Sequence, residues 1–307
     1  MLPFKLVYSD RYDLNLGAHV FPAVKYRLIH EKLLADQIAG PEDFLEPPPA
    51  TDADVHLVHD LEYIEKLKHG RLSYAEILRL EIPYSPEMVA AVWLAAGGSI
   101  LAARQALERG AGVNVGGGFH HAFPDHGEGF CAIHDVAIAI RRLQKDDAIT
   151  RAAVVDCDVH HGNGTAAIFS GDHTVFTLSL HQENNYPHPK PPSTLDIHLP
   201  DGVRDEEYLR LLEQGLETAL GESRDGKIDM VCYVAGADPY YQDQLGGLSL
   251  SIPGLRQRDA VVFGAARRRR IPVMVTLAGG YAARVADTVQ IHVNTVKALE
   301  QVMEEAR

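Results

Sequence analysis

The sequence predicts a single α/β domain over residues 1–307, built around a mostly parallel sheet. Two observations predict this fold. From residue 111 onward, short β-rich runs alternate with helical runs, and acidic or imidazole side chains come directly after several of those β-rich runs. The composition, 46% hydrophobic and 23% charged residues, is that of an ordinary globular protein with enough apolar residues for a large core.

The first part of the chain is predicted to be mainly helical. Apolar residues at helical spacing predict a helix over residues 22–36. A longer helix is expected to begin at Ser85, a residue type suited to the N-cap, and to end near Gly110. Gly97 and Gly98 lie inside this second helix and could break it.

The second part of the chain carries the strand pattern. The predicted strands are Ala152 to Val155, Val175 to Leu180, Met230 to Ala235 and Ile271 to Leu277. The predicted helices are Asp205 to Leu220, Gly254 to Arg270 and a last one within Ala283 to Glu305. Strands that alternate with helices in this way favour a parallel sheet, whose ligands bind beyond the carboxyl ends of the strands.

Charge and cysteine usage exclude several classes of protein. The net charge of −13 would repel a nucleic-acid backbone and favours a small or peptide cation as the ligand. No stretch approaches the roughly 20 apolar residues that a membrane-spanning helix requires, and the first ten residues lack a basic, apolar leader, so a cytoplasmic protein is expected. Cys131, Cys157 and Cys232 are odd in number and have no Cys-x-x-Cys spacing, which indicates reduced thiols.

A candidate metal site follows the predicted strand at Ala152 to Val155. Asp156, Asp158 and His160 alternate there, so in extended backbone their side chains would share one side and their donor atoms could converge on a metal. Asp238 ends another buried strand and could complete a three-ligand site with room for water and substrate. Zinc is favoured, although the ligand types also suit Fe(II).

Two further fragments supply groups for proton transfer and charge stabilisation. His120 and His121 follow three consecutive glycines, which let the backbone approach a ligand closely. Neighbouring imidazoles can divide proton transfer and charge stabilisation if their pKa values are moved apart. Tyr281 follows a strand and two glycines, and its hydroxyl could face the same site, although an ordinary packed aromatic residue is the default interpretation of this fragment alone.

Together these fragments, in this order, resemble the arginase–deacetylase superfamily and specifically the histone deacetylases, from about Asp10 to Tyr281. The segments Leu14–Pro22 and Asp243–Leu248 are similar to the class IV-like and bacterial branch. The resemblance implies a three-layer α/β/α arginase–deacetylase fold with a central, mostly parallel sheet. It also implies that Asp158, His160 and Asp238 are zinc ligands. His120 and His121 would be the catalytic histidine pair, and Tyr281 would be the oxyanion donor.

The resemblance implies roles for further residues. Asp156 would orient His120, and Gly129 and Phe130 would form one wall of an acyl-lysine channel with Tyr186 opposite. A potassium ion would be held by Asp156, Asp158, His160, Ser179 and Leu180, and a second monovalent ion by Phe169, Asp172 and Val175. Asn163 stands behind His121 where many family members carry aspartate, which should make the imidazolium form of His121 less favourable.

The predicted function is a zinc-dependent amidohydrolase that removes acetyl or related acyl groups from lysine side chains of proteins or peptides. His121 would take the proton of the attacking water, and His120 would mainly stabilise charge. The alternative enzyme is a deacetylase of acetylated polyamines or other small acylated amines, which the acidic chain would suit equally. An arginase-like ureohydrolase is disfavoured because Pro239–Tyr241 lacks a second acid, and a silent acyl-lysine binding module is disfavoured by the intact histidine pair and Tyr281.

Overall fold

The computed structural model describes residues 1–221 and 226–305, and within them eight strands form one sheet in which every neighbouring pair is parallel. The strands are β1 (Lys5–Val7), β2 (Phe44–Leu45), β3 (Ala111–Asn114), β4 (Ala152–Asp156), β5 (Val175–Gln182), β6 (Leu195–Leu199), β7 (Met230–Val234) and β8 (Val273–Thr276). Their order in the sheet is β2-β1-β3-β8-β7-β4-β5-β6. The four predicted strands are confirmed as β4, β5, β7 and β8.

Helices connect most of these strands, as expected for parallel neighbours. The helices are α1 (Lys25–Ala35), α2 (Asp52–Val55), α3 (Leu61–Lys68), α4 (Tyr74–Leu80), α5 (Pro86–Arg109), α6 (Asp135–Lys145), α7 (Asn163–Ile168), α8 (Asp205–Leu220), α9 (Ile252–Arg268) and α10 (Val285–Glu304). The α8 helix has the predicted bounds, and α9 ends with Arg267 and Arg268 in its last turn, where cations interact favourably with the helix dipole.

Two apolar cores lie on opposite faces of the sheet. Side chains alternate between the faces of a strand, and in β4 Val154 belongs to the core shared with α6, whereas Val155 belongs to the core shared with α8. Cys232 and Tyr233 of β7 divide in the same way. The helices pack in two groups, α5 with α6, and α8 with α9 and α10. This arrangement confirms the three-layer α/β/α architecture.

The long helix α5 begins where the sequence predicted but is not broken by its glycines. The Ser85 hydroxyl accepts a hydrogen bond from the Met88 amide (3.0 Å), and Gly110, at φ 90°, ends the helix. A side chain at Gly97 would place its Cβ 1.9 Å from the carbonyl oxygen of Pro48. The glycine therefore permits a close approach of the chain to an intact helix, and the prediction that it could break α5 was wrong.

The same helix is long and apolar enough to cross a membrane by length and composition. In the structure, however, 72% of its most apolar 18-residue window is buried within the protein. Its apolar character is accounted for by packing against α6 and the sheet. The expectation that no stretch approaches a membrane span in length and apolarity was therefore wrong for this segment.

Candidate active site

Four segments that bear candidate residues meet where the carboxyl ends of the strands lie. They follow β3, β8, β7 and β4, which are consecutive in the sheet order. All four strands run parallel, so their carboxyl ends lie side by side. The sheet thus brings together His120, Tyr281, Asp238 and Asp158, which are far apart in the sequence, as expected for a ligand site in a parallel α/β protein.

The predicted metal ligands converge at this edge. One ligand atom each from Asp158, His160 and Asp238 lies within 4.8 Å of the others, and all three residues are buried. His160 Nδ1 lies 3.0 Å from Asp158 Oδ1 and 3.5 Å from Asp238 Oδ2. The Val159 amide donates to the other oxygen of Asp238 at 2.8 Å, which fixes the orientation of that carboxylate.

Three observations test whether a divalent cation fits these residues. Among the described residues, buried Asp238 Oδ2 has no hydrogen-bond partner. A Cβ atom at Gly279 would lie 2.1 Å from that oxygen and 2.3 Å from Asp158 Oδ2, so only glycine leaves the space beside both carboxylates open. Burial, together with the negative charge of Asp158, raises the pKa of Asp238 to about 7, a cost that a cation would relieve. The two carboxylates and one imidazole suit zinc or Fe(II).

His120 and His121 lie side by side, and each is held by a different partner. Their ring centroids are 4.0 Å apart. His120 Nδ1 lies 2.7 Å from Asp156 Oδ2, and His121 Nδ1 lies 2.6 Å from Asn163 Oδ1. Asp156 itself is oriented by the Asp158 amide, which donates to its Oδ1 at 3.1 Å. One histidine therefore faces a carboxylate and the other a neutral amide.

This difference moves the pKa values of the two histidines in opposite directions. Burial alone would lower the pKa of His120, but the carboxylates of Asp156 and Asp158 raise it to about 9. Burial lowers the pKa of His121, and the neighbouring His120 and His160 lower it further. The raised pKa of His120 favours its charged form and the lowered pKa of His121 favours its neutral form, a difference that acid–base catalysis can use.

Glu128 connects His121, through Asn163, to Tyr186. The local sequence around Glu128 gives no indication of this role. Its Oε1 accepts a hydrogen bond from Asn163 Nδ2 and another from the Tyr186 hydroxyl, both at 2.7 Å. The ring of Tyr186 stands edge-on to His121, with centroids 5.0 Å apart. One carboxylate therefore positions both the amide behind His121 and the aromatic ring in front of it.

Tyr281 packs beside the metal ligands and is fixed through its backbone. Its ring lies 6.3 Å from His160 and 5.9 Å from Phe130, centroid to centroid. Its amide donates to Asp243 Oδ2 at 2.6 Å, and Gln244 Nε2 donates to its carbonyl oxygen at 2.8 Å. The local sequence pattern around Asp243 does not indicate that its hydrogen-bond partner lies after β8.

The predicted channel walls lie around the histidine pair. A Cβ atom at Gly129 would lie 3.0 Å from the Tyr186 ring and 2.8 Å from His121, so Gly129 brings the backbone against both rings. Phe130 packs against Tyr281. A cavity of about 20 Å³ is lined by His121, Gly129, Phe130, Tyr281 and other residues of this edge, which is space for about one water molecule.

Comparison with known proteins shows which family has this arrangement. The histone deacetylase domain matches residues 19–296, which include every segment of the site described above. The chain belongs to the histone deacetylase domain family. It is accordingly a hydrolase of the deacetylase class, and its family implies an acetylated substrate.

The similarity to known relatives covers most of the length of this chain. Histone deacetylase 2 of Arabidopsis thaliana is 32% identical over 306 residues, which cover 93% of this chain and 77% of that protein. An uncharacterized protein of Picosynechococcus sp. is 40% identical over 290 residues, covering 94% of this chain and 96% of that protein. The crystal structure of an HDAC homologue from Aquifex aeolicus has a TM-score of 0.80 at 24% identity, covers 97% of this chain and 84% of that chain, and shows the same fold.

Two buried charged residues support the site of this deacetylase family member, and neither was singled out from the sequence. Asp135, the first residue of α6, accepts hydrogen bonds from the amides of Gly118 (3.0 Å) and Phe119 (2.8 Å), which shapes the loop before the histidine pair. Lys25 donates to the carbonyl oxygen of Ala278, and burial lowers its pKa to about 8. An acid at a helix start and a lysine within a helix resemble ordinary surface features in sequence.

The residues predicted to hold monovalent cations lie in two places in this family member. In the register of β4 and β5, Asp156 pairs with Ser179, and Leu180 follows. Phe169, Asp172 and Val175 lie in one turn, in which the Asp172 amide donates to the Phe169 carbonyl at 3.0 Å and Asp172 Oδ2 pairs with Arg141 at 2.7 Å. Both potassium assignments stay predictions.

Proposed function

We propose that the whole chain, residues 1–307, is one catalytic domain that removes acetyl or related acyl groups from lysine side chains of proteins or peptides in a zinc-dependent reaction. The observation that supports this proposal most strongly is the convergence of the Asp158, His160 and Asp238 donor atoms beside two histidines of opposite pKa shift. Such a set offers a cation site, a base and a charged imidazole within one buried edge of the sheet.

In this proposal Asp158, His160 and Asp238 hold zinc. A zinc ion bound there would supply a Lewis acid that polarises the substrate amide and increases the acidity of water. The Val159 amide holds Asp238, and the Asp158 carboxylate holds the His160 backbone amide at 3.0 Å, so the ligands are oriented by the protein itself. This second layer of hydrogen bonds is typical of catalytic metal sites.

His121 is the proposed base. Its pKa is lowered by burial and by His120 and His160, so at neutral pH its ring is uncharged and can accept a proton from the attacking water. The same ring can then deliver that proton to the amine leaving group. His120, held charged by Asp156 and Asp158, is proposed to stabilise the negative charge that develops on the substrate.

Tyr281 is the proposed hydrogen-bond donor to the substrate oxygen. Burial raises the pKa of its hydroxyl far above the ordinary range, so the group stays protonated and can donate. Asp243 anchors the Tyr281 backbone, which keeps the ring beside His160. A donor fixed before the reaction begins costs no reorganisation when charge develops.

The proposed channel is that of an acylated lysine side chain, whose entry has to widen the cavity of about 20 Å³ beside the histidine pair. Gly129 and Phe130 form one wall, and Tyr186, held by Glu128, forms part of the other. Aromatic walls suit the apolar stem of an acylated lysine, while the acyl group reaches the histidine pair. Potassium held by Asp156, Asp158, His160, Ser179 and Leu180 is proposed to stabilise the loop after β4, with a second monovalent ion at Phe169, Asp172 and Val175.

The substrate class is tested by comparing kcat/KM for acyl-lysine peptides with kcat/KM for acetylated polyamines, using zinc-loaded protein. We expect release of acid from the peptides with the higher kcat/KM. A higher value for the polyamines would assign the protein to small acylated amines instead. Tight binding of an acyl-lysine peptide with no release of acid would identify a binding module.

A further inference from the structure

A second cluster of imidazole and carboxylate groups lies beside the candidate zinc site. His161 directly follows the proposed ligand His160, and His181 lies near the end of β5. Asp196 and His198 lie on the edge strand β6, two residues apart, so their side chains share one face of that strand. The register of β5 and β6 pairs His181 with His198 directly.

The donor atoms of this cluster are already close together. His161 Nε2 lies 3.1 Å from Asp196 Oδ1, and His181 Nε2 lies 2.9 Å from His198 Nδ1. One ligand atom each from His161, His181 and Asp196 lies within 4.8 Å of the others. In a tetrahedral zinc site with bonds of about 2.0–2.1 Å, neighbouring donor atoms are about 3.3 Å apart, so the paired distances need little change.

The ring arrangement also suits a shared ion. The rings of His161 and His181 are nearly perpendicular, with centroids 4.6 Å apart, and the rings of His181 and His198 are nearly perpendicular at 4.8 Å. In these edge-to-face pairs the rings do not stack on one another, and His181 bonds through both ring nitrogens, Nε2 to His198 Nδ1 and Nδ1 to the Ser179 hydroxyl at 3.0 Å. The rings therefore face one another at steep angles, as the ligands of a tetrahedral metal do.

Burial and charge distinguish this cluster from ordinary surface histidines. His161 and His181 are completely buried, and within residues 1–221 and 226–305 the His161 Nδ1 atom has no hydrogen-bond partner. The Asp196 side chain is 16% exposed and His198 is exposed, so an ion can reach the cluster from solvent.

We propose that His161, His181 and Asp196, with His198 as the fourth donor, form a second site for a divalent transition metal such as Zn²⁺. Imidazole and carboxylate donors select such ions over Mg²⁺ and Ca²⁺, which prefer oxygen ligands alone. The bound metal ties the loop after β4 to β5 and β6. It thereby fixes both ends of residues 183–194, the connection that carries the channel residue Tyr186. The site shares no ligand with Asp158, His160 and Asp238, so it stands independently of the proposed function.

Co²⁺ is the probe for this site, because its visible absorption reports tetrahedral coordination. Metal-free protein with Asp158→Ala and Asp238→Ala lacks the first site, and we expect it to bind one equivalent of Co²⁺ with a tetrahedral spectrum. Adding Asp196→Asn should weaken that binding at least about 10- to 100-fold, because losing even a hydrogen-bond partner of a metal ligand has an effect of that size. The matched control is His188→Gln, an exposed histidine of the same connection, which should leave binding unchanged.

A second measurement uses the protein with its first site intact and decides the matter if the double variant does not fold. Elemental analysis after equilibrium dialysis against Zn²⁺ should give two equivalents for the unmodified chain and one for Asp196→Asn. One equivalent in both proteins, or tetrahedral Co²⁺ binding that Asp196→Asn leaves unchanged, would overturn the proposal. If the unmodified chain binds two equivalents of Zn²⁺ but releases no acid from an acyl-lysine peptide, the result would count against the proposed function and still support this second site.

Discussion

The side-chain amide of Asn163 links His121 to Glu128 through two hydrogen bonds. The amide oxygen lies 2.6 Å from His121 Nδ1, and the amide nitrogen donates to Glu128 Oε1 at 2.7 Å. The negative charge behind the proposed base is thus one side chain further away than an aspartate at position 163 would place it. This separation leaves burial free to lower the pKa of His121.

The first prediction concerns this arrangement. Asn163→Asp would place a carboxylate against His121, which raises its pKa, and would set two carboxylates against each other at Glu128. We expect kcat/KM at neutral pH to fall about 10- to 100-fold, and its acid limb to move to higher pH because a base with a raised pKa stays protonated longer.

A compensating variant provides the control for that prediction. Glu128→Gln can donate its amide to the new carboxylate, so combining it with Asn163→Asp should recover much of the lost activity. A double-mutant cycle on kcat/KM measures this coupling. Losses that simply add would show that Glu128 and Asn163 do not act through one another.

The second prediction tests Tyr281. Tyr281→Phe removes the proposed donor to the substrate oxygen, and we expect kcat to fall about 100- to 1,000-fold, the usual cost of one such donor. Zinc content should stay unchanged, because the ring is not a ligand. Tyr241→Phe, at an exposed tyrosine, is the matched control and should keep full activity. An unchanged kcat in Tyr281→Phe would remove this residue from the mechanism.

The third prediction tests the space beside the carboxylates. Gly279→Ala would push a methyl group onto Asp158 and Asp238, so we expect zinc affinity to fall at least about 10-fold, measured by competition with a chelator. Gly264→Ala, inside α9, meets only the flexible end of Arg268 and should leave zinc affinity unchanged while stabilising the helix by up to about 1 kcal/mol. Equal zinc affinity in both variants would contradict the close approach at Gly279.

The fourth prediction concerns stability in acid. Burial lowers the pKa of His59 to about 4, below the ordinary histidine value of 6.5. Between these values the unfolded chain binds more protons than the folded chain, so stability falls as pH decreases from about 6.5 towards 4. His59 accounts for about 2–3 kcal/mol of the loss between pH 7 and pH 4.5.

Urea unfolding at both pH values measures this contribution. His59→Gln keeps an acceptor for the His134 amide, which donates to His59 Nε2 at 2.9 Å, but cannot take up a proton. The variant should lose less stability on acidification than the unmodified chain, whereas His173→Gln, at an exposed histidine, should behave like the unmodified chain. The same acid loss in all three proteins would show that His59 is not held neutral.

Features encoded by short local patterns were predictable from the sequence. The apolar strand β4 ends in Asp156, and the apolar strand β7 is followed four residues later by Asp238, so both strands and the convergence of Asp158 with Asp238 follow from local pattern. The start of α5 follows from Ser85 and the proline after it. In each case a few neighbouring residues carry the whole signal.

Features that depend on distant partners were not predictable in this way. The β1 and β2 strands are only three and two residues long, and their pairing with β3 and with each other defines them more than their own sequence does. Glu128 and Asp135 act through residues brought near by folding. Gly97 was interpreted as a helix breaker because the chain that packs against it, at Pro48, is invisible in the local pattern.

The most direct test of the account is release of acid from an acyl-lysine peptide by metal-free protein, by zinc-reconstituted protein and by its Asp158→Ala variant, with folding of each checked by circular dichroism. The account predicts release only from the zinc-reconstituted, unmodified chain. Equal release by the metal-free protein or by Asp158→Ala, or no release by folded, zinc-loaded protein, would contradict it.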